Sequence, residues 1–492
     1  MTVYVGIDLG TTFSAVARLD EMGRSSLVHF SDGSNTLRSM VSFNDSGGVK
    51  IGARWDPKGA ERFKREMGAG NWSFRAFDST YSSTDLSAFV LARIRQEVED
   101  VYGNIVEAVV TVPANFANDA RDATMQAAKT AGINVKFIIN EPTAAALYFA
   151  AEQKEQADGV YAIYDLGGGT FDISIIRLKG EEVEVIATDG VHKLGGRDFD
   201  DALTELVKKK FKEAKGEDLE IEDFTPYDAE NLKKSLTDSE SVKERIARAN
   251  IEISRAEFEE AISSYITQTE MLCESVIDTA GIDLSEIKDV ILVGGSTRMP
   301  IVASSVERVF GKKPVKFANP DEVVALGAAI YAAYKSDRSG MNQVQKDAVN
   351  KISFQEVTSK YYGTPAIVAN EATGQEEEAN TIIITKGDKI PCSVTRSYYT
   401  ATDGQTQVNL GITECDALET DMNFVNIIYQ GNLDLPPNRP AGQEIEITFS
   451  YDENQVMHAE FKDVKSGNKH EVDIQLTEDK ASSINIDQFL VE

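Results

Sequence analysis

The sequence has little of what several classes of protein need. Its 492 residues include three cysteines, Cys273, Cys392 and Cys415, and none stands in a Cys-x-x-Cys pair or a Cys/His cluster. This scarcity excludes a disulfide framework and a zinc-finger type of site, and we expect buried thiols in a reducing compartment. The sequence also lacks a run of about eighteen uncharged apolar residues, the length that a membrane-spanning helix requires.

An N-terminal signal is missing as well, because no basic segment is followed by a long apolar one. We therefore expect a cytoplasmic protein. The chain has only twelve prolines and no low-complexity tract, which predicts that nearly all of it folds.

Basic side chains are the other scarce group. Fifty lysines and arginines stand against eighty aspartates and glutamates, a net charge of −30. Nucleic acid and anionic membranes would be repelled by such a chain, so we expect neither as a partner. With this length and 42% hydrophobic residues, the chain can form about two to four domains with their own cores.

The first two thirds of the sequence have an α/β pattern. Residues 1–335 alternate short β-branched segments with long amphipathic ones. One stretch predicts a strand at 108–112, a helix at 118–131 and a strand at 137–140. We therefore expect an α/β domain over residues 1–335.

The last third has a different pattern. A polar stretch at 336–357 predicts a linker. Beyond it apolar residues alternate with polar ones, as at Val408, Leu410 and Ile412. We therefore expect residues 358–492 to form an all-β sandwich.

Turn residues separate these alternating runs at hairpin spacing. They occur at 403–404, at 452–454 and at 466–468. Glycine, aspartate and asparagine of this kind favour tight connections between antiparallel strands. The second domain is therefore predicted to be antiparallel.

A weak internal repeat connects two parts of the α/β domain. The segment VYVGIDLGTT at 3–12 returns as VYAIYDLGGGT at 160–170. In each copy an apolar strand leads an aspartate, Asp8 or Asp165, into a turn of glycine and threonine. The repeat predicts two related lobes, each with a hairpin that closes over something small and anionic.

These turns have the composition of a phosphate site. Glycines let successive backbone N–H groups converge on phosphate oxygens, and the threonines add hydroxyl donors. An aspartate beside phosphate is repulsive unless a divalent cation lies between them. One such turn alone is more simply a plain hairpin, but two copies and a third glycine turn at 294–295 together predict a metal–nucleotide site.

The motifs stand in the order found in the 70-kDa heat-shock chaperones, the DnaK-like family, which the chain resembles over nearly its whole length. The resemblance implies a two-lobed, actin- and hexokinase-like ATPase domain followed by a peptide-binding sandwich. The motifs that carry it are GIDLGTT at 6–12, TVPANF at 111–116, NEPTAAA at 140–146, DLGGGTFD at 165–172, LGGRDFD at 194–200, VGGSTRMP at 293–300, NPDE at 319–322 and ITFSYD at 447–452.

The resemblance implies a catalytic set. Lys64 resembles the lysine that orients the attacking water and stabilises charge on the γ-phosphate, and Glu141 resembles an acidic residue near that water. Asp8 and Asp165 resemble the carboxylates that organise Mg²⁺ through water, and Asp172 resembles a ligand of K⁺. ATP or ADP, Mg²⁺ and K⁺ are therefore the expected cofactors.

The resemblance also implies a nucleotide-binding set from both lobes. In it Thr11 and Thr170 resemble hydroxyl donors to the β- and γ-phosphates. Lys234 stands where the family usually has arginine, so we expect weaker stacking on adenine. The full set is Gly10, Thr11, Thr12, Gly167, Gly168, Gly169, Gly195, Gly196, Glu230, Lys233, Lys234, Thr237, Gly294, Gly295, Ser296, Arg298 and Asp321.

Communication with the sandwich is expected to use Pro113 and Arg121, which resemble the family's proline switch and its arginine. In the linker, Ile352, Phe354 and Glu356 stand in the place of an apolar run that ends in aspartate. Only two of the four large apolar side chains remain, so we expect coupling to be weaker by about 1–2 kcal/mol for each lost leucine.

Departures from the family pattern bear on partners. Phe137 stands where the family's arginine meets a J-domain co-chaperone, which argues against that partnership. The segments 64–111 and 237–257 are short for the family, which argues against nucleotide-exchange factors that grip those lobes. No helical lid follows the sandwich, so we expect a lidless form.

In the sandwich, Val408 resembles the pocket residue that receives a leucine-like side chain, and Ile367 and Ala401 resemble the arch over the peptide. The alternative is that Val408 is ordinary core, as most strand valines are. Residues 358–492 carry 9 basic and 23 acidic side chains. We therefore expect unfolded or extended apolar polypeptide with basic flanks as the partner.

Three functions are compatible with these observations. The first is an ATP-dependent chaperone of the stress response that binds unfolded protein. The second is a small-molecule kinase of the same superfold, which would need a base aimed at a bound alcohol and no sandwich. The third is a nucleotide-gated scaffold with little turnover, suggested by the altered linker and Phe137, while Lys64, Thr170 and Glu141 argue against it.

Overall fold

The chain packs into two compact units. The first contains the described residues of 1–116, 123–354 and 481–492, and the second those of 117–122 and 355–480. The computed structural model describes residues 3–44, 48–153, 157–180, 182–316, 319–369, 375–452, 456–473, 484 and 486.

Mixed α/β structure fills the chain up to residue 357. In chain order its elements are β1 (Val3–Asp8), β2 (Phe13–Leu19), β3 (Ser25–Leu27), β4 (Leu37–Arg38), β5 (Val41–Phe43), β6 (Val49–Ile51), β7 (Phe74–Ala76), β8 (Ser79–Tyr81), α1 (Ser83–Tyr102), β9 (Ile105–Val112), α2 (Asn118–Thr130), β10 (Val135–Asn140), α3 (Glu141–Gln153), β11 (Gly159–Leu166), β12 (Phe171–Lys179), β13 (Glu182–Val191), α4 (Gly196–Lys215), α5 (Pro226–Asp238), β14 (Ser241–Ile246), β15 (Ala249–Ser254), α6 (Arg255–Ala261), α7 (Ser263–Ala280), β16 (Ile287–Val293), α8 (Pro300–Phe310), β17 (Val315–Lys316), α9 (Val323–Lys335), α10 (Gln343–Val349) and β18 (Ser353–Val357).

Two sheets of the first unit have the same order of strand directions. The first sheet runs β10-β9-β1-β2-β3, and the second contains β17-β16-β11-β12-β13. In each, a central strand (β1 or β11) pairs in parallel with one neighbour and forms an antiparallel hairpin with the strand that follows it in sequence. The two segments that repeat in the sequence are therefore the central hairpins of two similarly ordered sheets.

Helix α9 packs against the first sheet and against α3. Its apolar sequence has no polar face, and it is buried along nearly its whole length, as expected for a helix that is apolar all round. A Cβ at Gly327 would lie 1.7 Å from the carbonyl oxygen of Ala144, so only glycine permits this close approach of α9 to α3. The crossing fixes the start of both helices beside the first sheet.

The predicted strand, helix and strand between 108 and 140 are confirmed as β9, α2 and β10. The stretch expected as a linker, 336–357, instead contains α10 and β18. Its polar residues are used for capping, because Asn342 and Gln345 form a capping box at the start of α10. Their side chains also donate to the carbonyls of Glu21 and Asp20, at 2.9 and 3.1 Å.

The second unit is an antiparallel β-sandwich. One sheet has the order β20-β19-β23-β24 and the other β22-β25-β26-β27, and both contribute to one apolar core. The end of β18 pairs with β21. The strands are β19 (Tyr361–Ala369), β20 (Glu376–Ile384), β21 (Lys389–Ile390), β22 (Cys392–Tyr399), β23 (Gln407–Cys415), β24 (Asn426–Asp434), β25 (Glu444–Tyr451), β26 (Met457–Asp463) and β27 (Lys469–Asp473).

Alternation in the sandwich is stricter in β25 than in β23. Every second residue of β25 is buried, as predicted. From Leu410 onward all residues of β23 are buried. On the face opposite to the core, Gly411 lies against the ring of Pro365, and the hydroxyl of Thr413 donates to Asn380, so this face is covered as well. The alternation predicted for β23 therefore ends at Leu410.

Two of the predicted turns lie within the described residues. Gly404 and Gly467 have φ values of 72° and 79°, the left-handed conformation that glycine adopts readily. The predicted turn at 452–454 lies largely outside the described residues, as does the chain between 473 and 484. Within the described part, no helix is long and apolar enough to cross a membrane.

Candidate active site

A cavity of about 810 Å³ lies in the first unit, and both sheets contribute to its wall. This volume is within the range of sites for small molecules and nucleotides. Of the residues predicted for catalysis and nucleotide binding, it is lined by Asp8, Gly10, Thr11, Thr12, Lys64, Glu141, Asp165, Gly167, Gly168, Gly169, Thr170, Gly196, Glu230, Lys233, Lys234, Thr237, Gly294, Gly295, Ser296, Arg298 and Asp321.

The two glycine turns meet at one end of this cavity. A Cβ at Gly168 would lie 2.1 Å from Oγ1 of Thr12, and one at Gly169 would lie 2.3 Å from Oγ1 of Thr11. Only glycine therefore allows the second turn to touch the threonines of the first. Gly195 does not line the cavity but supports this end, since a Cβ there would lie 2.7 Å from the nitrogen of Gly169.

Three carboxyls lie behind these turns: Asp165 and Asp172 are buried, and Asp8 is half-buried. Burial, reinforced by the charge of Glu141, raises the pKa of Asp8 to about 7 and that of Asp172 to about 8. The same two causes raise the pKa of Asp165. Thr111 donates to Asp8 at 3.1 Å, and the backbone N–H of Asn115 donates to Asp172 at 3.2 Å. Carboxyls crowded together in this way resist ionisation unless a cation joins them.

The donor set fits cations held through water. Within the described residues, no group of three or more carboxylate, imidazole or thiol side chains is placed to ligate a metal ion directly. Oδ2 of Asp172 is buried and accepts no hydrogen bond from the described residues. The crowded carboxylates Asp8 and Asp165 beside a glycine cradle are the chemistry that a hydrated divalent cation would complete.

Lys64 projects into the cavity from a 3-10 turn, Phe63–Glu66. It is 4% exposed, and its Nζ donates to Oε1 of Glu141 at 2.6 Å. The turn begins at Arg62, whose φ of 62° is unusual for a residue with a side chain. The Arg62 guanidinium donates to both carboxylate oxygens of Asp201, at 2.6 and 2.8 Å, and this bidentate pair holds the turn in place.

At the other end of the cavity, Glu230 of α5 pairs closely with two cations, and Nη1 of Arg197 lies 3.9 Å from its Oε2. Nη2 of Arg38 lies 2.7 Å from Oε2, and Nζ of Lys234 lies 2.6 Å from Oε1. Burial by itself would raise the pKa of Glu230, but these two cations lower it to about 2. The Arg38 guanidinium also lies over the rings of Phe13 and Tyr227, at 5.3 and 5.8 Å from their centroids.

This arrangement bears on the expected weaker stacking at Lys234. Its ammonium lies 5.6 Å from the ring centroid of Phe13, in addition to its pair with Glu230. Lys234 is therefore held by two groups of the protein itself. Arg38 is a planar cation that reaches Glu230 from the first sheet, and Arg197 is a second one, 3.9 Å from the same carboxylate.

The ionic network around Glu230 continues into α4, because Nη1 of Arg197 lies 3.9 Å from Glu230 and 3.8 Å from Asp200. Nζ of Lys233 lies 2.7 Å from Asp200 and donates to the carbonyl of Gly196 at 2.8 Å. Burial lowers the pKa of Lys233 and raises that of Asp200. Arg197 is 2% exposed and pairs with Glu61 at 2.9 Å. The motif at 194–200 therefore contributes charged side chains, in addition to glycine, to the wall of the cavity.

The sequence analysis missed Phe13, Arg38, Arg197 and Asp200. The sequence does mark Arg197 and Asp200, because they form a pair of opposite charge three residues apart within a glycine motif. No local pattern marks Arg38, since its partner Glu230 is 192 residues away. Phe13 follows the threonine turn directly and was recoverable from its position at the start of β2.

Residues from the double-glycine segment close the remaining side. Oγ of Ser296 donates to the carbonyl of Gly167 at 2.8 Å, and Arg298 pairs with Asp321 at 2.9 Å. The hydroxyl of Thr237 donates to the carbonyl of Lys233, one turn earlier in α5, at 3.1 Å. These contacts connect the third glycine turn with the second and leave an open, polar wall.

Residues 62–492 of the chain match the family model described as Hsp70 protein. The match covers far more than half of the 492 residues. The chain belongs to the Hsp70 family.

Hsp70 proteins are in general ATPases that use ATP or ADP with Mg²⁺ and bind unfolded polypeptides. Membership implies an actin-like ATPase domain and a β-sandwich, and the mixed α/β first unit and the antiparallel second unit agree with both. The turn that contains Asp8 precedes the matched residues, and the turn that contains Asp165 lies inside them.

The residues expected to connect the Hsp70 ATPase with its sandwich are spread over several elements. Pro113 follows β9, and Arg121 is 3% exposed in α2, in the short segment that groups with the second unit. Ile352 and Glu356 are buried, and Phe354 is half-buried in β18. Their role in communication stays a prediction.

The three residues expected to hold a peptide differ in exposure. Ile367 in β19 is 59% exposed and Ala401 lies on an exposed loop, while Val408 in β23 is half-buried. Val408 packs against the core that contains Leu410 and Leu433. Both interpretations of Val408, pocket and core, therefore stay open, and the peptide site stays a prediction.

Proposed function

We propose that this Hsp70 protein hydrolyses ATP slowly in the cavity of the first unit, and that hydrolysis controls the binding of extended apolar segments by its β-sandwich. The observation that carries the proposal is the buried pair of Lys64 and Glu141, at 2.6 Å, beside three carboxyls and two touching glycine turns. A buried ammonium fixed at the phosphate end is suited to charge that develops during phosphoryl transfer.

Each group has a separate task in this proposal. The glycine turns supply backbone donors, and Thr11 and Thr170, both nearly buried, supply hydroxyl donors to phosphate oxygens. Asp8 and Asp165 would hold Mg²⁺ through water, and Asp172 is the candidate for K⁺. When bound, Mg²⁺ neutralises charge on the phosphates and favours attack on phosphorus.

Lys64 and Glu141 act as a unit. Glu141 accepts a hydrogen bond from the Lys64 ammonium and so fixes its direction, which leaves its other two N–H groups for the γ-phosphate and the attacking water. The fold thus fixes the lysine side chain before the nucleotide binds, so nucleotide binding does not have to supply the free energy of ordering it. In an ATPase the phosphoryl group passes to this water, whereas in a kinase of the same superfold it passes to the hydroxyl of a bound alcohol.

Single-turnover hydrolysis by the full chain tests the proposal. The protein is mixed in excess with radiolabelled ATP and Mg²⁺, with and without a leucine-rich peptide flanked by arginines. We expect slow phosphate release that the peptide accelerates. A peptide with serines in place of the leucines is the matched control and is expected to have no effect.

Other outcomes would favour the alternatives. ATP binding without measurable hydrolysis would indicate a nucleotide-gated scaffold. Consumption of ATP only when a small alcohol is added, with the phosphate recovered on that alcohol, would indicate a kinase. Hydrolysis that ignores the peptide would separate the ATPase from the proposed control of peptide binding.

A further inference from the structure

The segment that carries Lys64, residues 61–66, is joined to the start of α4 by ion pairs. Each of its other charged side chains pairs with a residue of opposite charge between 193 and 201. Three of these pairs are made by arginine, and we call them the ionic zipper: Glu61 with Arg197, Arg62 with Asp201, and Arg65 with Asp198. The zipper connects two segments that are more than 120 residues apart in the sequence.

Two of the zipper pairs are bidentate. Arg65 is 8% exposed, and its guanidinium donates to both carboxylate oxygens of Asp198, at 3.0 and 2.5 Å. Arg62 makes the same kind of contact with Asp201. A guanidinium paired in this way fixes direction as well as distance, and burial of Arg65 limits the screening of its pair by salt. The Lys64 segment is therefore held in a defined orientation against α4.

The start of α4 is in turn bonded to the second glycine turn. The backbone N–H of Arg197 donates to the carbonyl of Gly168 at 2.8 Å, and the Arg197 side chain donates to Glu61 at 2.9 Å. Asp198 accepts a hydrogen bond from the N–H of Gly195 at 2.8 Å in addition to those from its arginine. Hydrogen bonds therefore connect the second glycine turn, through the start of α4, with the zipper.

The backbone of the Lys64 segment needs such support. Arg62 has a φ of 62°, a conformation that residues with side chains rarely adopt and that persists where the surroundings impose it. Phe63 and Lys64 follow directly and are 2% and 4% exposed. If the zipper opened, the segment could relax and carry Lys64 away from the second glycine turn.

We propose that the ionic zipper positions Lys64 relative to the second glycine turn, which makes its members positioning residues for ATP hydrolysis. This inference rests on the proposed function, because it assumes that Lys64 acts on the γ-phosphate and the attacking water. The described residues that line the cavity include none of Glu61, Arg62 and Arg65. These three therefore act through Lys64, so the rate of hydrolysis depends on them and nucleotide affinity does not.

Loss of the buried arginine is the first test. In Arg65→Met we expect single-turnover hydrolysis by the full chain to fall about tenfold, while the affinity for a fluorescent ATP analogue stays within about twofold. Arg65→Lys keeps the charge without the bidentate contact, and its rate should lie between those of Arg65→Met and the parent. Hydrolysis at the parent's rate in folded Arg65→Met would overturn the proposal. A fall in affinity as large as the fall in rate would show contact with the nucleotide and overturn it as well.

A reversed pair tests the ionic contact itself. Asp201→Arg brings two cations together and should slow hydrolysis about fivefold, and Arg62→Glu should do the same with two carboxylates. The double variant restores opposite charges, so we expect its rate to lie within about twofold of the parent's. A double variant slower than both single ones would contradict the zipper. If Arg65→Met failed to fold, these variants would decide.

Hydrogen exchange tests the zipper without hydrolysis. In the nucleotide-free protein we expect backbone exchange at 62–66 to rise about three- to tenfold in Arg65→Met and Asp201→Arg, and to return toward the parent's rate in the double variant. Exchange in β11 should stay the same, which shows that the unit is folded. If the parent hydrolysed no ATP, the proposed function would fail, and exchange at 62–66 would still test the zipper. Equal exchange there in all variants would overturn it.

A matched control lies one turn further along α4. Glu205 is 73% exposed and pairs with Lys208. Glu205→Arg changes a side chain from negative to positive, as Asp201→Arg does, but outside the zipper. We expect hydrolysis and exchange at 62–66 to stay at the parent's values, because exposed pairs contribute little. A response as large as that of Asp201→Arg would show a general effect of charge on α4 and overturn the proposal.

Discussion

The nucleotide cavity and the expected peptide site differ in how much of each the fold assembles. In the first unit, side chains from Asp8 to Asp321 come to one cavity because turns at the ends of parallel-paired strands meet there. In the second unit, Ile367 and Ala401 are exposed, and Val408 packs partly into the core. The cavity is formed where side chains from many elements come together, whereas the expected peptide site consists of residues on the surface of the sandwich.

The difference has a physical cause. Phosphate and divalent cations are bound by groups fixed in direction, so the glycines, carboxylates and Lys64 must be positioned before the ligand arrives. An extended peptide brings its own backbone donors and acceptors and needs mainly a strand edge and one apolar depression. Substitutions should therefore be costly in the cavity and mild on the sandwich.

The largest effect is expected for Lys64→Ala. Loss of the buried ammonium removes stabilisation of charge on the phosphoryl group, so single-turnover hydrolysis should fall by on the order of 10² or more. ATP affinity, measured with a fluorescent analogue, should change little. Lys193→Ala is the matched control, because Lys193 pairs with Glu66 of the same 3-10 turn but is 61% exposed. Unchanged turnover in Lys64→Ala would remove the catalytic assignment.

The second effect is on stability in acid. The pKa of Glu230 is lowered from 4.5 to about 2, so its ionised form stabilises the fold above pH 4.5, and this contribution is lost as the pH falls toward 2. At neutral pH it amounts to at most about 3 kcal/mol, at 1.36 kcal/mol per pKa unit. Glu230→Gln should therefore lower the free energy of unfolding at pH 6 much more than at pH 3.

Urea unfolding followed by tryptophan fluorescence measures this change in the first unit alone, because Trp55 and Trp72, the two tryptophans of the chain, both lie there. Glu205→Gln, at an exposed pair on α4, is the control and should show no such pH dependence. A cost of Glu230→Gln that is the same at both pH values would show that Arg38 and Lys234 do not stabilise the ionised form.

The third effect is on nucleotide release. Arg38 of β4 pairs with Glu230 of α5, which lines the cavity, and both side chains are nearly buried. Arg38→Ala should therefore speed the release of a fluorescent ADP analogue about tenfold, which corresponds to about 1.4 kcal/mol. Arg24→Ala, which removes an exposed pair with Asp20, is the control. Slower release in Arg38→Ala would mean that the arginine holds the cavity open.

How far the sequence predicts each site follows from the same comparison. The glycine turns, the order of α/β elements and the antiparallel sandwich were predictable, because they depend on local backbone chemistry and periodicity. The pair of Arg38 and Glu230 was not, since nothing local marks two residues 192 positions apart. Helix α10 was missed for a related reason: Asn342 and Gln345 look like linker residues until they are seen as its cap.

The smallest effect is expected on the sandwich. Val408→Phe should fill the depression beside β23 and weaken binding of a labelled, leucine-rich peptide about five- to tenfold, or about 1.0–1.4 kcal/mol. This is less than the roughly 1.5–3 kcal/mol of one fully buried apolar side chain. Fluorescence anisotropy measures the affinity, and ATP binding should be unaffected. Val464→Phe makes the same change at a valine that is 40% exposed beyond the end of β26, and should leave peptide affinity as it is. Because Val408 packs partly into the core, the larger ring could instead unfold the sandwich, so Ile367→Ala is measured beside it. If both variants fold and bind the peptide with the affinity of the parent protein, Val408 belongs to the core and the sandwich is left without its predicted peptide site.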